Sequence, residues 1–427
     1  MMMMMEGNGQ MLTETENAEQ LRVNKYFFAL FVFTLIFVVV LYKMIGFAYT
    51  DELCSLFLFF LFFLAMTKIH RWHFNKAFLV TLFVFFFYTC YSLWIGSNTP
   101  RGIANDAIIQ IKPYLGFFCV YQLKPVFNES RKRILGDVCL LFWFIFLLPV
   151  GLVSLVNEKI FTVLLEHPAY YGIAVTIVSL CYLYCSRFTR RDKVVFLLML
   201  SIGLLCGRSK FYGFFALSVF MMFFFSNIAH LKLNFRNVVI LLCMFAAVIY
   251  VAWGKISLYF YQVLSDEMDK DLVARFVLYR TMPEVLHDYF PFGSGFASFG
   301  TYSSGQYYSD LYAQYGIEYI YGLSKAYHDF ISDTFYPSLA QFGAAGIVLF
   351  VLFWIYILKR AFMNYRKSPD IKLLQIAILI VCFLGIENTT GSTFTAQGGF
   401  FVMMLMGVVL SERRRDAGQT VISEHGG

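Results

Sequence analysis

The chain reads as an all-α polytopic membrane protein of about 12 transmembrane helices with one large loop on the outer, periplasmic side. Three observations predict this. Hydrophobic residues make up 59% of the 427 residues and charged residues only 14%, whereas a soluble domain carries about a quarter charged. Apolar runs near the ~20 residues needed to cross a hydrocarbon core as helix recur along the sequence. Lys and Arg fall in short clusters between those runs, so the formal charge of +7 reports orientation in a bilayer and not a nucleic-acid partner.

The polar segment 1–25 is expected to be a disordered cytoplasmic tail. The apolar run from Tyr26 onward has no small-residue cleavage site after it, so it reads as a retained span. Nine spans are placed within 26–253, near 26–48, 53–67, 77–94, 103–121, 137–156, 171–185, 194–207, 211–226 and 237–253. Three more are placed within 340–410, near 340–358, 373–386 and 396–410, followed by a tail over 411–427. Counted on this layout, 23 of the 34 Lys and Arg residues lie on the side of the N-terminus. The positive-inside rule then puts both termini in the cytoplasm and 254–339 outside. The nine cysteines all sit in apolar runs without CxxC spacing, which favours packing over a zinc site or a disulfide framework.

Segment 254–339 is the one place where the sequence leaves the hydrophobic register for long. It holds five Lys/Arg, ten Asp/Glu and thirteen of the 28 tyrosines, and long loops of this kind are usually functional. Ionisable residues at membrane depth mark four further places. These are Arg101, Asn105, Asp106 and Lys112 beside Pro113; Glu166, His167 and Tyr171; Arg208 and Lys210 in a turn between two spans; and Glu387 with Asn388 in the last outer turn. Each has a bland reading as a cap or a snorkelling side chain. That reading is weakest for Arg208 and Lys210, because so tight a turn keeps both cations near the bundle axis.

Within the loop, DLVARFVLYRTMPEVLHDY has helical character. Arg275 and Arg280 are five residues apart, roughly 140° around a helix, and need not share a face. Glycines 293, 295 and 300 follow in FPFGSGFASFG, where they allow tight turns and close backbone approach to a ligand, or simply a turn between two helices. His328, Asp329 and Asp333 precede the tenth span, in which Gly343 and Gly346 allow close packing against a neighbouring helix. No HExxH, G-x-S-x-G or Walker A pattern is present, so metalloprotease, hydrolase and nucleotide-using readings lack support.

Taken together, GRSKFYG at 207–213, Arg275 followed by FPFGSGFASFG, and His328 leading to QFGAAG resemble the O-antigen ligase/polymerase family of bacterial envelope glycan assembly. The resemblance covers about 160–360. It implies a GT-C-like glycosyltransferase of the bacterial inner membrane, using an undecaprenyl-diphosphate-linked glycan as donor at the periplasmic face, with no cofactor and no metal. Its expected partners are that glycan, membrane lipid and a chain-length regulator. Arg275, Arg280, Arg208 and Lys210 are then expected to hold the diphosphate. His328 is the first choice as base or orienting group, with Asp333 the second and Arg280 stabilising departing charge. Tyr279, Tyr336 and His167 are expected to line the glycan path. The ligase pattern has His followed by Asn, whereas here His328 precedes Asp329, which tilts the expectation from lipid A-core ligation toward polymerisation of repeat units. A lipid-linked oligosaccharide transporter is the competing class, but no internal repeat supports it. A non-catalytic assembly protein is the third reading.

Overall fold

The computed structural model describes residues 19–42, 46, 49–68, 74–157, 159–223 and 270–412. Among these every element is helical and there is no strand. The main helices are α1 (Glu19–Val40), α2 (Thr50–Lys68), α3 (Lys76–Ile95), α4 (Pro100–Leu123), α5 (Glu129–Ser154), α6 (Pro168–Cys185), α7 (Arg190–Ser201) and α8 (Ser209–Phe223). After them come α9 (Lys270–Asp288), α10 (Gly343–Lys367), α11 (Ile371–Glu387) and α12 (Gln397–Ser411). Helix overlaps eleven of the twelve predicted spans, while 237–253 and the loop's first part, 254–269, lie outside the described residues. Six helices are long and apolar enough to cross a membrane: α1, α2, α3, α5, α6 and the stretch Phe335–Lys367 that contains α10.

Local chemistry sets the helix starts. Asn75, Thr99 and Asn128 each accept a main-chain N–H in the first turn of α3, α4 and α5, and Thr189 with Asp192 forms a capping box on α7. Buried residues then assemble two cores. In the larger one α12 runs through the middle of the bundle, with every residue from Gly398 to Leu410 buried. It lies along α4, where a Cβ on Gly407 would come 2.9 Å from the Phe117 carbonyl oxygen. The small residue lets the two backbones approach where side-chain burial alone gives no drive between helices in lipid.

The second core belongs to the loop. Ala274, Leu278 and Val285 on one side of α9 pack with Phe299, Leu311, Tyr312, Leu323 and Ile331. The glycine-rich strap 290–300 docks this lobe onto the ends of α3 and α4. Tyr91 donates to the Gly293 carbonyl at 2.9 Å, Ser97 to Phe296 at 2.8 Å and Asn98 to Ala297 at 2.7 Å. From α4, Asp106 accepts the Ala297 N–H at 2.7 Å and Asn105 donates to Ser303 at 3.0 Å. Two expectations change here. Gly293 and Gly300 meet protein backbone and Gly295 meets the Ser92 and Ser97 side chains where a ligand was one expectation, and Gly343 packs against the strap, not a neighbouring helix. A Cβ on Gly293 would lie 2.2 Å from the Gly343 nitrogen, and one on Gly343 would lie 2.3 Å from the Gly293 nitrogen.

Lys112 also resolves to structure. Its ammonium sits 2.5 Å from both Asp51 and Glu52 in the first turn of α2, with only 4% of the Lys112 side chain exposed. A buried cation in an apolar bundle survives by such pairing.

Candidate functional site: a cationic cluster around the turn 385–392

The cluster begins with how two short turns present their side chains. Extended backbone at His167 and Pro168 at the first helical position start α6, and the imidazole Nδ1 lies 3.2 Å from the Ala169 main-chain nitrogen. Opposite it, the turn Ile202–Cys206 ends in Gly207 at φ 66°, a left-handed conformation that suits glycine, and reverses the chain into α8. Arg208 and Lys210 stand at that reversal. Arg208 Nη2 lies 2.5 Å from His167 Nε2. A guanidinium only donates, so Nε2 accepts, and the single proton of the neutral imidazole sits on Nδ1. Burial first, then the positive charge of Arg208, Lys210 and Arg275, brings His167 from 6.5 down to about 4. The same three cations therefore share one local field.

The turn 385–392, at the end of α11, ties the remaining groups together. Lys210 Nζ is 2.5 Å from Glu387 and 3.4 Å from the Thr390 carbonyl oxygen. Tyr279, on α9, donates to the Thr389 carbonyl at 2.8 Å, and Tyr336 donates to Gly385 at 2.8 Å. Burial, and then neighbouring Tyr336, raise the Tyr279 phenol to about 12, so it remains a donor at neutral pH. Ser392 donates to the Ser332 carbonyl at 2.5 Å, which brings in the segment that carries Asp333. Arg275 closes the ring of contacts, with Nη2 2.6 Å from Asp333 Oδ2.

Of the residues expected from sequence, His167, Arg208, Lys210, Arg275, Tyr279, Asp333 and Tyr336 meet around this turn. Arg275 and Tyr279 are four apart on one stripe of α9 facing the turn. Arg280 falls off that stripe; it is exposed and makes no ion pair among the described residues. His328 lies apart, against Gly305 and Ile331 in the loop lobe, with its buried Nδ1 unpaired among the described residues. Lys210 and Arg275 are paired with Glu387 and Asp333, whereas Arg208 contacts the neutral His167 ring and forms no ion pair of its own among the described residues. The cluster thus carries excess positive charge and a surplus of donors at Arg208, which suits a phosphate or carboxylate.

Glu387 and the carbonyls of 389 and 390 were not assigned to the site from sequence. The available signal was an ionisable group at the end of an apolar run; in the fold Glu387 is buried, 3% exposed. No protein-family model matches the chain, and a search of curated proteins finds no relative.

Proposed function

We propose that the protein is a glycosyltransferase of the bacterial inner membrane that polymerises undecaprenyl-diphosphate-linked oligosaccharide repeat units at the periplasmic face. The reading takes the chain as a GT-C-like enzyme of about twelve spans with both termini cytoplasmic. The observation that carries it is the convergence of Arg208, Lys210 and Arg275 on one turn beside Tyr279 and Tyr336, with Arg208 in no ion pair among the described residues.

In this reading an acceptor hydroxyl oxygen attacks the anomeric carbon of the donor sugar. The bond from that carbon to the diphosphate oxygen breaks, and the lipid diphosphate leaves with the electron pair. Arg208 receives the developing charge, with Arg275 and Lys210 shaping the field around it. Asp333, held at Oδ2 by Arg275, takes the proton, a role that its position favours over His328. The phenols of Tyr279 and Tyr336 are spent on main-chain carbonyls, which leaves their ring faces for sugar.

The test is the glycan banding pattern of a deletion strain complemented with wild type or with Arg208→Ala, with membrane levels checked by blotting. A wild-type ladder of repeat lengths that collapses to core plus one unit in the variant supports polymerisation. Loss of all capped core while lipid-linked polymer accumulates makes the protein a ligase. A full ladder from Arg208→Ala sinks the site.

A further inference from the structure

A second site lies on another face of the bundle and does not depend on the glycosyltransferase reading. Between α3, α4 and α10 runs a cavity of about 260 Å³, bordered mainly by apolar and aromatic side chains such as Val84, Phe118, Leu352 and Phe353. It extends on α3 from Ala77 to Tyr88 and on α10 from Gly346 to Tyr356, about 16 and 15 Å at 1.5 Å per residue. Both of these helices are long and apolar enough to cross a membrane. Val80 and Leu352, on its rim, are about half exposed (55% and 51%), so the groove opens sideways to whatever surrounds the bundle.

One end of this groove is cationic. Tyr356 lines that end, with its hydroxyl 2.7 Å from Asn75 Nδ2. The Arg360 guanidinium lies over the Tyr356 ring, 5.2 Å from its centroid. Lys76, next to the lining residue Ala77, begins α3 at the same end. Neither Lys76 nor Arg360 forms an ion pair among the described residues. A long apolar slot with two unbalanced cations at one mouth has the amphiphilic pattern of a single lipid molecule. Basic pockets between membrane helices recognise anionic headgroups in this way.

We propose that the groove between α3, α4 and α10 binds one anionic glycerophospholipid, an acyl chain lying along Val84 and Phe353 and the phosphate held between Lys76 and Arg360. On the orientation expected from the basic clusters, this lipid comes from the cytoplasmic leaflet. The site is separate from the cationic turn 385–392 and holds a resident lipid, not a reactant.

Native mass spectrometry of the full-length protein in detergent, titrated with phosphatidylglycerol or phosphatidylcholine of matched chains, tests this. Phosphatidylglycerol is expected to bind more tightly. Lys76→Gln and Arg360→Gln, both at the solvent-facing mouth, should each weaken it about fivefold and leave phosphatidylcholine unchanged. Leu352→Trp, which fills the groove from its exposed rim, should reduce retention of both lipids. Equal retention of the two lipids, or charge variants that hold phosphatidylglycerol as wild type does, overturns the proposal.

Discussion

His167 accepts a hydrogen bond from Arg208 across 2.5 Å, joining the start of α6 to the turn before α8. Both ring nitrogens face donors, Ala169 N–H on one side and the guanidinium on the other. A neutral imidazole offers one acceptor nitrogen, here Nε2, and a second proton placed there would set N–H against N–H and cation against cation.

The first prediction follows from the sign of that effect. His167 is brought from 6.5 to about 4 in the folded protein, so between those values the unfolded chain binds a proton that the fold refuses. Its contribution is fully present above about pH 6.5 and is lost as pH falls through 4. Thermal unfolding of the purified protein should show a midpoint that drops over this window. His167→Gln, which keeps an acceptor toward Arg208 but cannot titrate, should flatten the drop; an unchanged slope would remove His167 as its source.

Arg208 forms no ion pair among the described residues, so on the proposed function its loss should act on turnover more than on folding. Arg208→Ala should lower polymer formation about 10²–10³-fold, the usual cost of one donor to developing negative charge. Arg208→Lys should recover only part of this, since an ammonium cannot bridge two phosphate oxygens as a guanidinium does. Chain-length distributions from membranes with matched protein levels give the comparison. Equal activity of the Lys variant and wild type would argue for a point-charge role.

Arg275 and Asp333 should behave as a unit. Each single alanine variant already removes their contact, so the double variant should lose less than the sum of the two singles, with a coupling of about 0.5–3 kcal/mol. Arg280, exposed and off the stripe, should couple to neither. The measurement is a double-mutant cycle on unfolding midpoint and on polymer yield, and strict additivity for Arg275 and Asp333 would break the link.

Much of this site was legible in the sequence because charge is conspicuous against an apolar background. His167, Arg208 and Lys210 stood out as polar residues at the ends of runs, and the five-residue spacing meant that Arg275 and Arg280 need not share a face, although both were expected to hold the diphosphate. What the sequence could not show was which carboxylate balances which cation. Glu387 is 179 positions from Arg208 and 177 from Lys210 in the numbering, and only packing of α8 on α11 makes Lys210 its partner. His328 looked like a base because acids flank it, yet its ring turns toward Gly305. The helical segments were readable from hydrophobicity alone, whereas α12, only fifteen residues long and buried from Gly398 to Leu410, reads like any other short apolar run.

The strap glycines show the same limit from the other side. Gly293 and Gly343 have positive φ, 80° and 62°, and stand backbone to backbone. Gly293→Ala or Gly343→Ala should therefore cost about 1–3 kcal/mol from the left-handed conformation alone, with steric overlap added to it. The lobe should loosen before the bundle unfolds, seen as faster hydrogen exchange in 290–300 with slow exchange retained in α12. Exchange that rises equally in both regions would mean that the lobe and bundle unfold together.

The buried triad of Lys112, Asp51 and Glu52 allows a prediction that separates structure from chemistry. One cation faces two carboxylates at 2.5 Å, with side-chain exposures of 4%, 5% and 22%. Removing Lys112 alone leaves like charges side by side away from water, and Lys112→Met should destabilise by roughly 3–5 kcal/mol. Adding Asp51→Asn and Glu52→Gln removes the stranded charge and should restore most of that loss, because the groups no longer need a counter-ion. Polymer yield per folded molecule should be unchanged in the triple variant. If stability returns and yield does not, the triad takes part in the chemistry and its structural assignment is wrong.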